Sequence, residues 1–202
     1  MKAPGVIVII AIAGLGIGLS MLLQHSAAPA IQAAREEVRH QEWTSVLPTG
    51  SYDNQPLKHP LTLPSTPDET PVLGAFLATR QGQPCAVIFH SRSQGYAGAI
   101  DLLIGLSTEG RLMGIKVLEQ HETPDIGGRL VTRPQWLNGF SGKSLDDPED
   151  SRWAVKTDNG TFDQIAGATI TSRATVKALH ETLRYFDTHK VQLLAADKGA
   201  HP

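Results

Sequence analysis

Two hydroxyls open the chemical reading of this chain. Thr169 and Thr171 sit in the run Asp163-Gln-Ile-Ala-Gly-Ala-Thr-Ile-Thr-Ser172. Before this run, Trp153–Thr157 alternates in character and Asp158-Asn159-Gly160 is a turn signal, so a hairpin with a return strand over 161–165 is expected. After it, Val176, Leu179, Leu183 and Phe186 recur as one helical face, with Ser172 placed to cap it, which predicts a helix over 172–188. Gly167-Ala168-Thr169 then falls where a strand gives way to a helix. The first N–H groups of a helix have no internal partners, and the macrodipole adds positive character there. Such a junction suits an anion. Gly167 and Ala168 leave the main chain open to close approach, and Lys156, Arg173 and Lys177 are near enough in sequence to balance phosphate charge. A Thr-rich turn leading into a capped helix accounts for the same residues without a ligand.

Other residue types exclude more than they suggest. His121-Glu122 resembles half of a metal or acid–base pair, but no second ligand follows at useful spacing, and His90, His180 and His189 are scattered. No metal site and no catalytic residue is expected. There is no nucleophile elbow, Walker loop or dinucleotide fingerprint outside the apolar N-terminal run. The single cysteine, Cys85, excludes an internal disulfide. A net charge of −2 over 202 residues gives no reason to expect nucleic acid.

The elements around the junction read as an antiparallel α+β domain over 71–190. Strands are expected at 72–80 and 85–91 around Gln81-Gly-Gln-Pro84, and at 99–107 and 112–120 around Thr108-Glu-Gly110. Alternating Ile, Leu and Val in the second pair fit a sheet with one covered face, and helices at either end of the chain are available to cover it. A short helix over 134–140 is expected to turn Trp136 and Phe140 inward. The last residues, 191–202, read as a tail. Upstream, Thr49–Pro71 holds five prolines after position 55, which rule out regular helix and most sheet. It reads as an extended loop wrapping the domain or as a spacer, within a connection over 26–70 that also holds a helix at 32–46.

Val6–Leu23 is free of charge and spans about 27 Å as a helix, near the thickness of a hydrocarbon core. A transmembrane helix over 6–25 is expected, with residues 1–5 cytoplasmic because Lys2 precedes it, although Arg35 and Arg39 compete beyond it. Gly14 and Gly18 would let a second helix approach closely. The rival is a cleaved signal peptide ending near Ala28-Pro-Ala30, which the length of the run disfavours.

Three motifs, in order, carry a resemblance. Gly95-Tyr-Ala-Gly-Ala-Ile100 resembles the Gly-Tyr-x-Gly-x-Ile element of the FMN-binding domain family; read alone it is a Gly-rich turn whose tyrosine caps a core. Glu122-Thr-Pro-Asp-Ile-Gly127 resembles that family's Glu-Thr-Pro-Gly-Leu-Gly loop, with Asp125 and Ile126 replacing Gly and Leu. Asp125 is less free than Gly to take a positive φ, so the loop path is expected to differ a little. Asp163, Gly167, Ala168 and Thr169 resemble the flavinylation motif Asp-x-x-(Ser/Thr)-Gly-Ala-Thr, with Ala166 where Ser or Thr is usual.

The resemblance covers nearly the whole chain and extends to the G subunits of Rnf-type (Rsx-type) electron-transport complexes, and at greater distance to the C subunits of sodium-pumping quinone reductases. It implies FMN joined through a phosphoester to the Thr169 hydroxyl by a separate flavin transferase. It also implies FMN contacts at Gly167, Ala168, Tyr96, Glu122, Thr123 and Ile126. The implied protein is a redox subunit of a translocase in the bacterial inner membrane, its main domain periplasmic and its partners other membrane subunits. It relays electrons within a complex that couples electron flow between NADH and ferredoxin to ion movement, rather than acting as a catalyst on its own. A cofactor-free anchored assembly module and a secreted flavoprotein are the alternatives.

Overall fold

The computed structural model describes residues 3–64, 70–132 and 134–195. The first two residues of the expected cytoplasmic terminus and residues 196–202 of the expected tail lie outside the described residues. The chain divides into two compact units, one up to Glu42 and one from Trp43 onward. Helix α1 (Ala3–Thr44) is continuous through Pro29, so the two separate helices expected at 6–25 and 32–46 are one. A proline removes one i→i−4 bond and crowds the preceding turn, but here the flanking turns carry the helix across it. Among the described residues no helix is long and apolar enough to cross a membrane.

The second unit is built on one antiparallel sheet in the order β1-β2-β3-β4: β1 (Val72–Arg80), β2 (Gln83–Gln94), β3 (Ala99–Ser107) and β4 (Leu112–Gln120). All four expected strands form. β2 is longer than expected because the first turn is tighter. Gln81 and Gly82 both take positive φ, and Arg80 pairs directly with Gln83, the geometry that matches strand twist in a two-residue hairpin.

The sheet is covered on both faces, not one. Val87, Phe89, Leu102, Ile104 and Leu106 pack under helix α4 (Thr169–Ala195). Ile88 and Leu103 on the opposite face pack against Val46 and Leu47. That second cover is a short segment of chain following α1, admitted by a slot. Gly105 and Gly114 face each other across β3 and β4, and a Cβ on either would stand 2.5 or 2.6 Å from the Val46 carbonyl oxygen. Two glycines at one rung let a backbone lie on the sheet where side chains would hold it off. The Pro-rich connection wraps the β1 edge: Leu61 N–H donates to Ala75 O, Leu77 N–H to His59 O, and the Asn54 amide bridges Leu77 O and Thr79 N–H.

Between β4 and α4 the chain makes two short helices, α2 (Arg129–Thr132) and α3 (Pro134–Asn138). An aromatic cluster follows: Phe140 packs on Phe162 at 4.5 Å between ring centroids, and Phe162 on Trp153 at 4.8 Å. Helix α4 buries Val176, Leu179, Leu183 and Phe186, as the periodicity requires. It starts three residues before Ser172 and continues to Ala195, seven past the expected end, because Leu193 extends the buried face. Residues 191–195, expected in the tail, are therefore helical.

One charged cluster tests how the sheet is held. Asp101 is buried and accepts two hydrogen bonds from Arg92, at 2.6 and 2.8 Å, and lies 3.1 Å from His90 Nε2. The Arg92 guanidinium holds the Asp101 carboxyl below the usual carboxylate range; burial opposes this and His90 reinforces it. A carboxyl with a depressed folded-state pKa contributes stability above its unfolded value of about 4, and loses it as pH falls through the folded value. Replacing Asp101 with Asn is therefore expected to cost stability at neutral pH and to flatten the decline below about pH 4. Urea titrations across pH read this, and an acid limb as steep as the parent's would exclude Asp101 as its source.

Candidate functional site

Helix α4 begins at Thr169, so Ser172 lies inside it rather than capping it. The Ser172 hydroxyl instead accepts from Ile165 N–H and donates to Ala168 O, both at 2.9 Å. It ties the approach of the chain to the first turn. Ser172 N–H makes the first i→i−4 bond, to Ala168 O, which leaves the N–H groups of Thr169, Ile170 and Thr171 without intrahelical partners. Gly167 takes φ +80° just ahead of them, a conformation glycine reaches at no steric cost.

The segment leading in is not a hairpin. Residues 153–165 form no strands; Lys156–Asp158 is a single 3-10 turn, Asn159 takes φ 62°, and Val155 meets Phe162 in an isolated parallel bridge. The physical reason is Gly160. A Cβ there would collide with the backbone of Ala154, so the chain folds back across itself. The crossing is held by Phe162 N–H to Ala154 O and Lys156 N–H to Phe162 O. A hairpin ladder would keep those backbones a strand spacing apart.

The three segments singled out by motif meet at one cavity of about 480 Å³, lined by Tyr96, Glu122, Thr123, Ile126, Gly127, Gly167, Ala168, Thr169, Ile170 and Thr171. Every residue expected at the site is on this lining. Tyr96 is 71% exposed and faces the cavity region, so it does not cap a core. Ile126 and Ile170 are 45% and 48% exposed. Three large apolar side chains left open around one cavity form a ready contact surface. The basic residues are elsewhere: Lys156 pairs with Asp163, Arg173 with Asp158 and Lys177 with Glu181. None of the three lines the cavity; the helix terminus supplies positive character there, and the Arg129 guanidinium donates to Ala166 O at 3.5 Å.

In the loop where Asp125 replaces the family's Gly, the residue adopts the left-handed conformation that a Gly would take freely. Asp125 takes φ 61°, and Thr123 O accepts from both Ile126 N–H and Gly128 N–H at 3.2 and 3.0 Å. Aspartate is among the few residues that visit this region readily. Asp125→Ala is expected to cost about 1 kcal/mol and Asp125→Gly to stay within about 0.5 kcal/mol of the parent in thermal unfolding. Equal losses in both would show that the backbone angle is not what Asp125 supplies.

Glu122 is the residue whose role the motif alone did not reveal. It is 5% exposed. Its Oε1 accepts from Ala97 N–H at 2.9 Å and its Oε2 from the Thr171 hydroxyl at 2.5 Å. Each oxygen accepts one hydrogen bond from a protein donor. Thr171 is buried and committed to this bond, whereas the partly exposed Thr169 hydroxyl has no hydrogen-bond partner among the described residues. No cluster of His, Cys, Asp or Glu suited to a metal occurs among the described residues.

The profile of the FMN-binding domain family matches residues 95–184, a span that contains the whole cavity lining. The chain is similar to the G subunit of the ion-translocating oxidoreductase complex of Pseudomonas aeruginosa, 45% identical over 189 residues that cover 92% of this chain and 88% of that protein. The same-named protein of Cereibacter sphaeroides is 42% identical over 151 residues, covering 74% and 68%. In fold the chain is similar to the crystal structure of NqrC from Shewanella oneidensis, with a TM-score of 0.50 and 23% identity over 73% of each chain.

Proposed function

The chain belongs to the G-subunit family of ion-translocating oxidoreductase complexes, and from that premise we propose that it carries FMN covalently on Thr169 and relays electrons within a membrane-bound complex. The observation that carries the reading is the convergence, at one cavity, of an open helix N-terminus, an uncommitted hydroxyl and three exposed apolar side chains.

The residues fit the group. The free N–H groups of the first turn of α4 suit a phosphate, and Gly167 leaves the approach clear. Tyr96, Ile126 and Ile170 offer apolar surface to a ring system, and the Thr123 hydroxyl adds a polar contact beside them. Thr169 Oγ1 exchanges its proton for a bond to phosphorus, AMP being the group that leaves FAD. In this reading a separate flavin transferase supplies the catalysis of that step. FMN supplies the electron transfer when bound, and the protein positions it and sets its surroundings. A covalent tether keeps the group in place in a compartment that does not replenish it.

The anchor in this reading rests on sequence: Val6–Leu23 is uncharged and would span about 27 Å as a helix, while among the described residues no helix is long and apolar enough to cross a membrane. The domain then lies on the periplasmic side of the bacterial inner membrane among other subunits. Protein purified from a host with an active transferase should fluoresce in a denaturing gel, and its peptide spanning 163–173 should carry the added mass of one FMN. An unmodified peptide from such a host would end the reading. N-terminal sequencing tests the anchor separately, since a mature terminus near Ala30 would show cleavage.

A further inference from the structure

We infer that Glu122 is a positioning residue: it does not touch the flavin but closes the site and selects Thr169 over Thr171 as the acceptor. This rests on the reading that Thr169 carries FMN. Three segments far apart in sequence make the site, and one carboxylate joins them. Glu122 itself sits in the loop after β4. Its Oε1 holds the Gly95–Gly98 turn through Ala97 N–H, and its Oε2 holds the first turn of α4 through Thr171. Its own N–H donates to Gln120 Oε1 at 2.6 Å, which fixes the side chain's starting point.

The packing shows that the surrounding chain is shaped for this group. A Cβ on Gly95 would collide with Glu122 Oε1, and one on Gly127 with Glu122 Oε2. A side chain at either glycine would displace the carboxylate from the position it holds. Among the described residues no cation pairs with it. A buried carboxylate without a counter-ion is expensive, and hydrogen bonds to its charged form are what offset the cost.

The consequence for selectivity is direct. Two hydroxyls lie on one turn of helix at the same cavity, and chemistry at one must exclude the other. Thr171 is 1% exposed and its hydroxyl is turned toward Glu122, so burial and orientation keep its oxygen from an incoming phosphorus. Thr169 has neither restraint. Glu122 thus removes one nucleophile from competition while drawing the cavity walls together.

The experiment uses the full chain expressed with an active transferase and compares parent, Glu122→Ala and Glu122→Gln. Glutamine keeps an acceptor for Ala97 N–H and an amide that can donate to the Thr171 oxygen. Covalent loading should fall about tenfold or more in Glu122→Ala, the scale of a lost charge-assisted hydrogen bond, and return to near parent level in Glu122→Gln. Any residual adduct in Glu122→Ala should be found partly on Thr171 by peptide fragmentation. A readout independent of flavin is amide exchange in unloaded protein. Ala97 N–H should exchange about tenfold faster in Glu122→Ala and not in Glu122→Gln, while amides of β2 and β3 keep their protection. That last comparison separates local opening from failure to fold. Glu122→Ala loading as the parent does, or Glu122→Gln failing as badly as Ala, would overturn the inference. Absence of FMN from the parent would instead fail the functional reading beneath it.

Discussion

Thr169→Val protein, made beside an active flavin transferase, is expected to show no fluorescent band in a denaturing gel, against a full band for the parent. Valine preserves the shape of threonine and removes only the hydroxyl, so the acceptor oxygen is the variable. Because Thr169 is the first residue of α4 and partly exposed, its folding cost should stay within about 0.5 kcal/mol, as for other surface substitutions. Thr171→Val makes the opposite pattern. It leaves Glu122 Oε2 without its donor, which should cost about 1–3 kcal/mol, yet the band persists and maps to Thr169. The pair of results separates a hydroxyl that carries a group from one that holds the site. A band surviving in Thr169→Val, with the adduct on another residue, would sink the attachment.

The second large effect is structural. Gly160→Ala should destabilise the domain by about 3 kcal/mol or more in urea or guanidinium titrations. The new Cβ would overlap the Ala154 backbone. That backbone cannot move aside easily, since Ala154 O accepts from Phe162 N–H and Gly160 N–H itself donates to Val155 O. Relief would disturb Phe162 and Trp153, the aromatic pair beneath the crossing, and with them the chain entering Asp163. Gly142→Ala is the control. It takes φ +79° in open space, so it should cost only the conformational penalty, about 1 kcal/mol. If Gly160→Ala costs no more than Gly142→Ala, the crossing is not rigid.

Some of this protein was readable from residues in order. The four strands follow from alternation bounded by Gly turns, and the buried face of α4 from Val176, Leu179, Leu183 and Phe186. The Gly167-Ala168-Thr169 junction follows from small residues ahead of a helical period. These are short-range patterns, in which each residue's preference is settled by near neighbours. Three things were not readable. Asp158-Asn159-Gly160 has the composition of a hairpin turn, and Asn159 does take a positive φ, but a contact between Gly160 and Ala154 turns the segment into a crossing. The second cover of the sheet needs Gly105 and Gly114 to be opposite each other, which only the strand register decides. The basic residues that looked available to a phosphate are paired with carboxylates elsewhere.

The amino-acid order by itself determined which threonines stand at the start of a helix and which segments bear apolar and small residues suited to a flavin. Only the tertiary structure decided that one of those hydroxyls is spent. A carboxylate 49 residues earlier reaches it, and no local pattern records a hydrogen bond made across that distance.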